Sequence, residues 1–402
     1  MNSSLTCVPR NFTYRCRSSH FSALLNQISY DVQKDTLIHL GDLVTKATVE
    51  DSLAVLSFMA SNKVIGVRGN NDQGVLEWRA WMDWMVSQPG GRKWLEKVDE
   101  HWSDYDGVAE EGDIFPFDPW TSLSKKHDWG NKVPKGWKPL AKHYQVARAI
   151  SYEHYEYLRS LPLVLHAPAG HVFFVHAGLL AADPSRKLTH HKQPLSHWPS
   201  VKDSKVNITA LREAQEVALL SDVPQNRDPW AVQNMRSVRK NGELSRSNHK
   251  WTPFSDLWNE IMNQCSGLHT SEVELSSIPR LIGNRETLSH LPCYPSTVVY
   301  GHAAGRGLDV KRWSIGLDSG CGYGRKLSAL VLDAGSFPSG DIEPHHMLHI
   351  PPDATNRSDA GFSSEDLSQQ IFHLPPEATD QFSPQIKFGH AGEAQIVSVE
   401  CH

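Results

Sequence analysis

Residues 36–46 read TLIHLGDLVTK. The apolar run of Leu37, Ile38 and Leu40 stops at Gly41-Asp42, as a buried strand does when it ends in a turn and leaves a carboxylate on the rim of a sheet. In α/β proteins that rim carries the chemistry. A Gly-Asp pair also closes ordinary turns, so its meaning depends on three later stretches: KVIGVRGNND (63–72), HVFFVHAGL (171–179) and STVVYGHAAG (296–305). Each ends an apolar run in a residue able to ligate a metal, namely Asn70, His176 and His302. With Asp42 they form a mixed oxygen and nitrogen set, which suits Mn, Fe or Zn better than Mg or Ca. Such an ion polarises a phosphoryl oxygen and makes hydroxide available near neutral pH.

In chain order, the GDLVTK stretch, RGNND, VHAGL, YGHA and the later LDSGCGYGRKLSALVL (317–332) resemble the motifs of the calcineurin-like metallophosphoesterases of the phosphoprotein phosphatase type. Lys46, where protein phosphatases carry arginine, looks like the ApaH-like branch, related to bacterial diadenosine tetraphosphate hydrolases and including a fungal endopolyphosphatase. The resemblance spans roughly residues 20 to 335 with large insertions. It implies that Asp42 is the carboxylate shared by two metals and that Asn70, His176 and His302 complete the second metal's ligands, the ion being Mn, Zn, Co or Fe. Lys46 and Arg68 match positions beside the phosphate, where fixed positive charge stabilises the transition state.

Two departures from the family matter. Its first strand ends in Asp-x-His-Gly and supplies the first metal site; here residues 1–18 contain no apolar run, and the corresponding positions fall near Thr13, Arg15 and Cys16. A neutral hydroxyl and a permanently protonated guanidinium are poor replacements, so one metal site is expected to be intact and the other lost. A truncated or misjoined first exon and a degenerate phosphatase both account for this. The second departure is Asn71, at the position of the family's proposed general-acid histidine. Losing a positioned general acid costs ~10²- to 10⁴-fold, less for a good leaving group, so phosphoanhydrides (polyphosphate or dinucleoside polyphosphates) are favoured over phosphoesters, including serine/threonine phosphoproteins. A catalytically impaired pseudo-phosphatase that binds a phosphorylated ligand is the alternative.

Composition sets bounds. The 402 residues are 39% hydrophobic and 21% charged, enough for one large or two ordinary domains. A net charge of -5 gives no global basic field for nucleic acid; the basic segment 236–250 is equally an exposed loop. No run approaches the ~20 apolar residues of a membrane span, and Met1–Arg10 lacks a signal-peptide core. The six scattered cysteines, without a CxxC pair, argue against a zinc ribbon and a small disulfide scaffold, making a cytoplasmic protein the default. The Asn-x-Ser/Thr matches at Asn2, Asn11, Asn207 and Asn356 would matter only in a secreted chain.

Residues 19–29 place Phe21, Leu24, Leu25 and Ile28 on one helical face with Ser19 as cap. Residues 49–62 form a second helix burying Leu53, Leu56 and Met59, and residues 63–68 a second parallel strand, which is βαβ alternation. A tryptophan-rich insertion (73–160) packs Trp78, Trp81, Met82 and Met85 from one helix; Lys132, Lys135, Lys138 and Lys142 are either solvated or turned to an anion. Residues 161–179 read as two adjacent buried strands. The insertion 181–290 has few strand signals, contains the helical run ITALREAQEVALL, and starts another helix at Asp228-Pro229-Trp230. That helix would carry Arg236 about two turns on, and the family's phosphate-binding arginine from this insertion makes Arg236 the candidate, with a surface helix position equally open. Residues 296–333 read as three strands in closing hairpins. Beyond Ala334 only HHMLHI and QIFHL look like short strands, and 351–402 is expected to be a poorly ordered tail. The expected whole is α/β: a core at 19–350 of two stacked mixed sheets flanked by helices, with both insertions, and a gap beside the strand ending at Asp42 where residues 1–18 fail to supply a partner.

Overall fold

The computed structural model describes residues 17–103, 132–137, 141–199, 207–267, 290–332, 348–350, 385–389 and 392–401. In chain order, helix α1 (Ser18–Gln27) leads to strand β1 (Ile38–His39), α2 (Val49–Ser61), β2 (Ile65–Gly66), α3 (Asn70–Ser87), α4 (Gly91–Ser103), α5 (Lys142–Ala149) and α6 (Tyr152–Ser160). The second half holds β3 (Val164–Ala167), β4 (Val172–Val175), α7 (Ile208–Ser221), α8 (Pro229–Asn234), β5 (Ser237–Val238), β6 (Leu244–Ser245), β7 (Thr252–Pro253), α9 (Phe254–Met262), β8 (Thr297–Tyr300), β9 (Asp309–Val310), β10 (Ser314–Gly316), β11 (Lys326–Leu332), β12 (Leu348–Ile350), β13 (Gln385–Phe388) and β14 (Gly392–Glu400).

Strand β4 shows how the layers arise. Its side chains alternate faces with the period of two of any strand: Phe173 and Val175 enter one cluster with Val298, Tyr300, Phe254 and Trp258. Val172 and Phe174 enter another with Val299, Ile315, Val67, Ala394 and Phe388. A strand apolar on both sides must be covered on both. Helices α7 and α9 cover one face; a second layer of strands covers the other. The central sheet runs β12-β3-β4-β8-β10-β9, with β4, β8 and β10 parallel. The facing layer comprises the parallel pair β1-β2, joined through α2, and the antiparallel β11-β14-β13. The chain is therefore α/β with stacked sheets, as expected.

Among the described residues β1 has β2 as its strand partner, and the two parts of the facing layer do not pair with each other. Helix α1 packs against β11, β14 and α2, with Phe21 edge-on to Phe58 at 5.2 Å. Ser18 donates from its backbone and hydroxyl to Asp51. Arg17 rather than Ser19 occupies the N-cap position. The expectation about the first strand concerns residues outside those described, apart from Arg17 and Ser18.

The tryptophan insertion builds its own helical core, as its spacing requires: Trp78, Trp81, Met82 and Met85 are all buried, and Trp78 meets Trp81 and Tyr144 edge-on at 5.4 and 5.3 Å. Four expectations are corrected. The strands of 296–333 do not form closing hairpins: β8 and β10 pair in parallel, while β11 crosses to the facing layer. The insertion 181–290 contains a small sheet, β6-β5-β7. Helix α8 ends at Asn234, so Arg236 lies beyond it, at the entrance to β5.

The fourth concerns the C-terminal segment read as a tail. Residues 394–400 pair along β11 from Lys326↔Glu400 to Leu332↔Ala394, burying Ala394, Ile396 and Val397. HHMLHI does supply β12, on β3, and QIFHL lies outside the described residues. Cys401 bonds Cys321, and Cys265 bonds Cys293, so the four cysteines among the described residues are paired. Closing loops of 28 and 80 residues restricts the unfolded chain by about 3.5 to 4.5 kcal/mol each in the chain-entropy account.

Behind the central sheet Glu216 of α7 is fully buried and accepts hydrogen bonds from His166 Nε2 at 2.7 Å, His171 Nδ1 at 2.9 Å and Ser296 Oγ at 3.1 Å. Burial alone would raise its pKa; the two histidines outweigh that and hold it at about 2. A depressed carboxylate stabilises the fold fully above its unfolded pKa, near 4.5, and progressively less as pH falls through its folded value. Acid titration should therefore show stability falling between about pH 4.5 and 2. Glu216→Gln should flatten that segment and lower stability at pH 7 by about 3 kcal/mol, read from denaturant melts. Non-reducing peptide mapping should recover the Cys265–Cys293 and Cys321–Cys401 pairs, and Cys401→Ser should lower the melting temperature.

Candidate metal centre

Two turns at the strand ends make the site. After β1 the backbone takes left-handed conformations at Gly41 (φ 82°) and Asp42 (φ 58°). The second turn, at Gly69, packs directly on the first. A Cβ at Gly41 would fall 2.4 Å from the Gly69 nitrogen, and one at Gly69 would fall 2.3 Å from the Asp42 nitrogen. Only glycine permits this approach. Asp72 joins the turns, accepting from the Asp42 and Gly69 N–H groups at 2.8 Å each and from Leu43 at 2.9 Å. Burial and then the nearby Asp42 charge push Asp72 up to about 6. Behind them His39 accepts the Gly41 N–H through Nδ1 and donates through Nε2 to Tyr157, whose hydroxyl donates to Val64 O. Burial, then His176, lowers His39 to about 3, so it is neutral.

The four expected ligands converge. His176 Nε2 lies 3.1 Å from Asn70 Oδ1, 3.1 Å from His302 Nδ1 and 3.4 Å from Asp42 Oδ1. These separations are what ~2.0 to 2.2 Å metal bonds require of neighbouring ligands. His176 donates through Nδ1 to Leu40 O at 2.6 Å, which turns Nε2 toward Asn70, His302 and Asp42. Nε2 thus faces two acceptor oxygens, which a bound cation would bring together with it in one coordination shell. His302, with φ 63°, has its buried Nε2 without a hydrogen-bond partner. Burial first, then His176 and Arg236, lowers its pKa, so it is neutral. The donor set fits a divalent ion, which when bound would supply Lewis acidity toward a phosphoryl oxygen.

Asn71, second residue of α3, grips the other side of Asp42: its N–H donates to Oδ1 at 2.9 Å and its Nδ2 to Oδ2 at 2.5 Å. Thr13 and Arg15, expected at the lost metal site, lie outside the described residues. A second cluster, His20 with Cys321 and Cys401, offers no thiolate because both cysteines are in the disulfide.

The positively charged candidates separate. Lys46 is exposed and borders Gly322, in the turn after Asp318. Arg236 is half-buried beside the centre, donating to the carbonyls of His302 and Arg246 at 3.0 Å each. Arg68 is different. It is buried with Nε on Leu158 O at 3.1 Å, Nη1 on Gln73 Oε1 at 3.1 Å and Nη2 on the Arg159 carbonyl. Its guanidinium closes the C-terminal end of α6, where carbonyls lack helical partners and a cation is favoured. Burial lowers its pKa to about 10, which leaves it charged. The expectation that it sits beside the phosphate is therefore corrected.

Three residues beyond the expected set belong here. Asp72 was visible as the acid of GNND. Asp318 stands close enough to Asp42 that burial and that charge raise its pKa. His143 of α5 places Nε2 3.0 Å from Asn71 Oδ1; being 72 residues away, it gave no local signal. Arg68→Met should lower stability by about 2 kcal/mol or more, since it strands buried carbonyls, while leaving phosphate affinity within threefold by calorimetry.

No curated protein matches the chain. Three solved structures match it; one, described as a "putative diadenosine tetraphosphatase", has 20% identity and a TM-score of 0.40, covering 85% of this chain and 92% of its own. The calcineurin-like phosphoesterase family matches residues 17–234. That span covers more than half of the chain and includes Asp42, Asn70 and His176, and the chain belongs to the calcineurin-like phosphoesterase family.

Proposed function

We propose that the chain is a metal-dependent phosphohydrolase that retains one of the family's two metal sites and prefers a phosphoanhydride, such as polyphosphate or a dinucleoside polyphosphate, to a phosphoester or a phosphoprotein. The observation that carries this reading is the convergence of Asp42, Asn70, His176 and His302, with His176 Nε2 within 3.4 Å of a donor atom of each of the other three. Mn, Zn, Co or Fe suits that donor set. Lys46 and Arg236 are the candidate phosphate-facing cations. Position 71 holds an amide that cannot deliver a proton at neutral pH, which penalises poor leaving groups most.

One observation favours the second reading, a pseudo-phosphatase that holds a phosphorylated ligand. Both Asp42 oxygens already accept from Asn71, which leaves fewer carboxylate lone pairs for two ions to share. The net charge of -5 supports no nucleic-acid role. Among the described residues no helix is long and apolar enough to cross a membrane. The two disulfides support an oxidising compartment over the cytoplasmic expectation.

Calorimetric titration with Mn, Co or Zn should give about one ion per monomer. The loaded protein should hold phosphate or short polyphosphate while cleaving an aryl phosphate barely above background, and Asn71→His alone should help little. Two ions per monomer with full-rate hydrolysis would refute the single-site reading; no ion at all would refute the metal centre.

A further inference from the structure

His143 lies outside every motif, yet it completes a chain of contacts to the metal-ligand carboxylate. It is the second residue of α5, and its Nε2 lies 3.0 Å from Asn71 Oδ1, while Asn71 Nδ2 donates to Asp42 Oδ2 at 2.5 Å. The two contacts fix each other's polarity. Asp42 accepts from Asn71, so the amide must present its NH₂ to the carboxylate and its oxygen to His143; the imidazole must then carry its proton on Nε2. Turned over, the amide would set an oxygen against the carboxylate.

Room for the imidazole is built into α3. Gly74, one turn from Asn71, lies under the ring, and a Cβ there would fall 2.7 Å from His143 Cδ2. A glycine inside an 18-residue helix costs about 1 kcal/mol relative to alanine, and its lack of a side chain is what admits His143.

We infer that His143 is a positioning residue: by donating to Asn71 it holds the amide in the one orientation that aims Asp42 at the metal, so the site depends on an imidazole supplied by the insertion. This rests on the metal-centre reading, and the test separates the two.

Cobalt(II) binding to the full-length protein is measured by calorimetry and by the visible spectrum of the bound ion, with melting curves in parallel. His143→Leu, which fills the space without a donor, should weaken cobalt binding about 10- to 100-fold, the usual effect of removing a residue that orients a ligand. His143→Gln, which restores an N–H donor, should recover most of it. Gly74→Ala should reproduce the loss by displacing the ring although alanine favours the helix. His143→Leu combined with Asn71→Ala should bind no worse than Asn71→Ala alone.

Unaltered cobalt affinity in both His143→Leu and Gly74→Ala, beside a wild type that binds one ion, overturns the positioning role and leaves the metal centre standing. Additive losses in the double variant overturn it as well. A wild type that binds no cobalt removes the metal-centre reading and this inference together.

Discussion

The Asp72 carboxylate is what the site's geometry depends on. It takes hydrogen bonds from three backbone N–H groups, two from the Asp42 turn and one from the Asn70 turn. Each turn follows a different strand, and neither would hold its left-handed or tightly packed backbone alone; such conformations cost about 1 to 3 kcal/mol each and persist only where their surroundings enforce them. One buried anion therefore sets the distance between two metal ligands. The neutral His39 behind β1 does the same from the other side by accepting the Gly41 N–H.

That arrangement needs a rigid floor, which the central sheet supplies. Val175 and Tyr300 end neighbouring parallel strands, so His176 and His302 emerge at one edge. The Gly301 N–H then donates to His176 O at 2.9 Å and ties the two ligands' backbones together. The facing layer closes over this floor with β14, fastened to the turn after Asp318 by Cys321–Cys401. The site's rim is thus linked covalently to the C-terminal strand.

Much of this was legible because the signals are local. Strand ends marked by Gly-Asp, Gly-Asn, His-Ala and Gly-His pointed to four residues that converge, and helical spacing identified the buried tryptophan face. What stayed hidden depended on partners distant in sequence. The apolar QIVSV of β14 is short and follows a long polar segment, so composition read it as tail; only pairing with β11 makes it a strand. Arg68 stands beside a motif, and nothing in its neighbours reveals that its guanidinium turns to the end of α6. His143 and Cys401 acquire their roles from residues 72 and 80 positions away.

The fate of Arg68 bears on the chemistry. With its guanidinium committed to Leu158, Arg159 and Gln73, fixed positive charge near the centre comes from Lys46, Arg236, the exposed Arg246 and whatever ion the candidate ligands hold. Lys46 is exposed and Arg236 only half-buried, so neither meets the low-dielectric, preorganised condition under which a fixed charge stabilises a transition state most. The buried groups are the candidate ligands instead, two buried histidines and an Asp42 held by an amide. A site built this way favours holding an ion and its phosphate over driving departure of a poor leaving group. This is the physical basis of the phosphoanhydride preference proposed above, since such a leaving group needs little protonation.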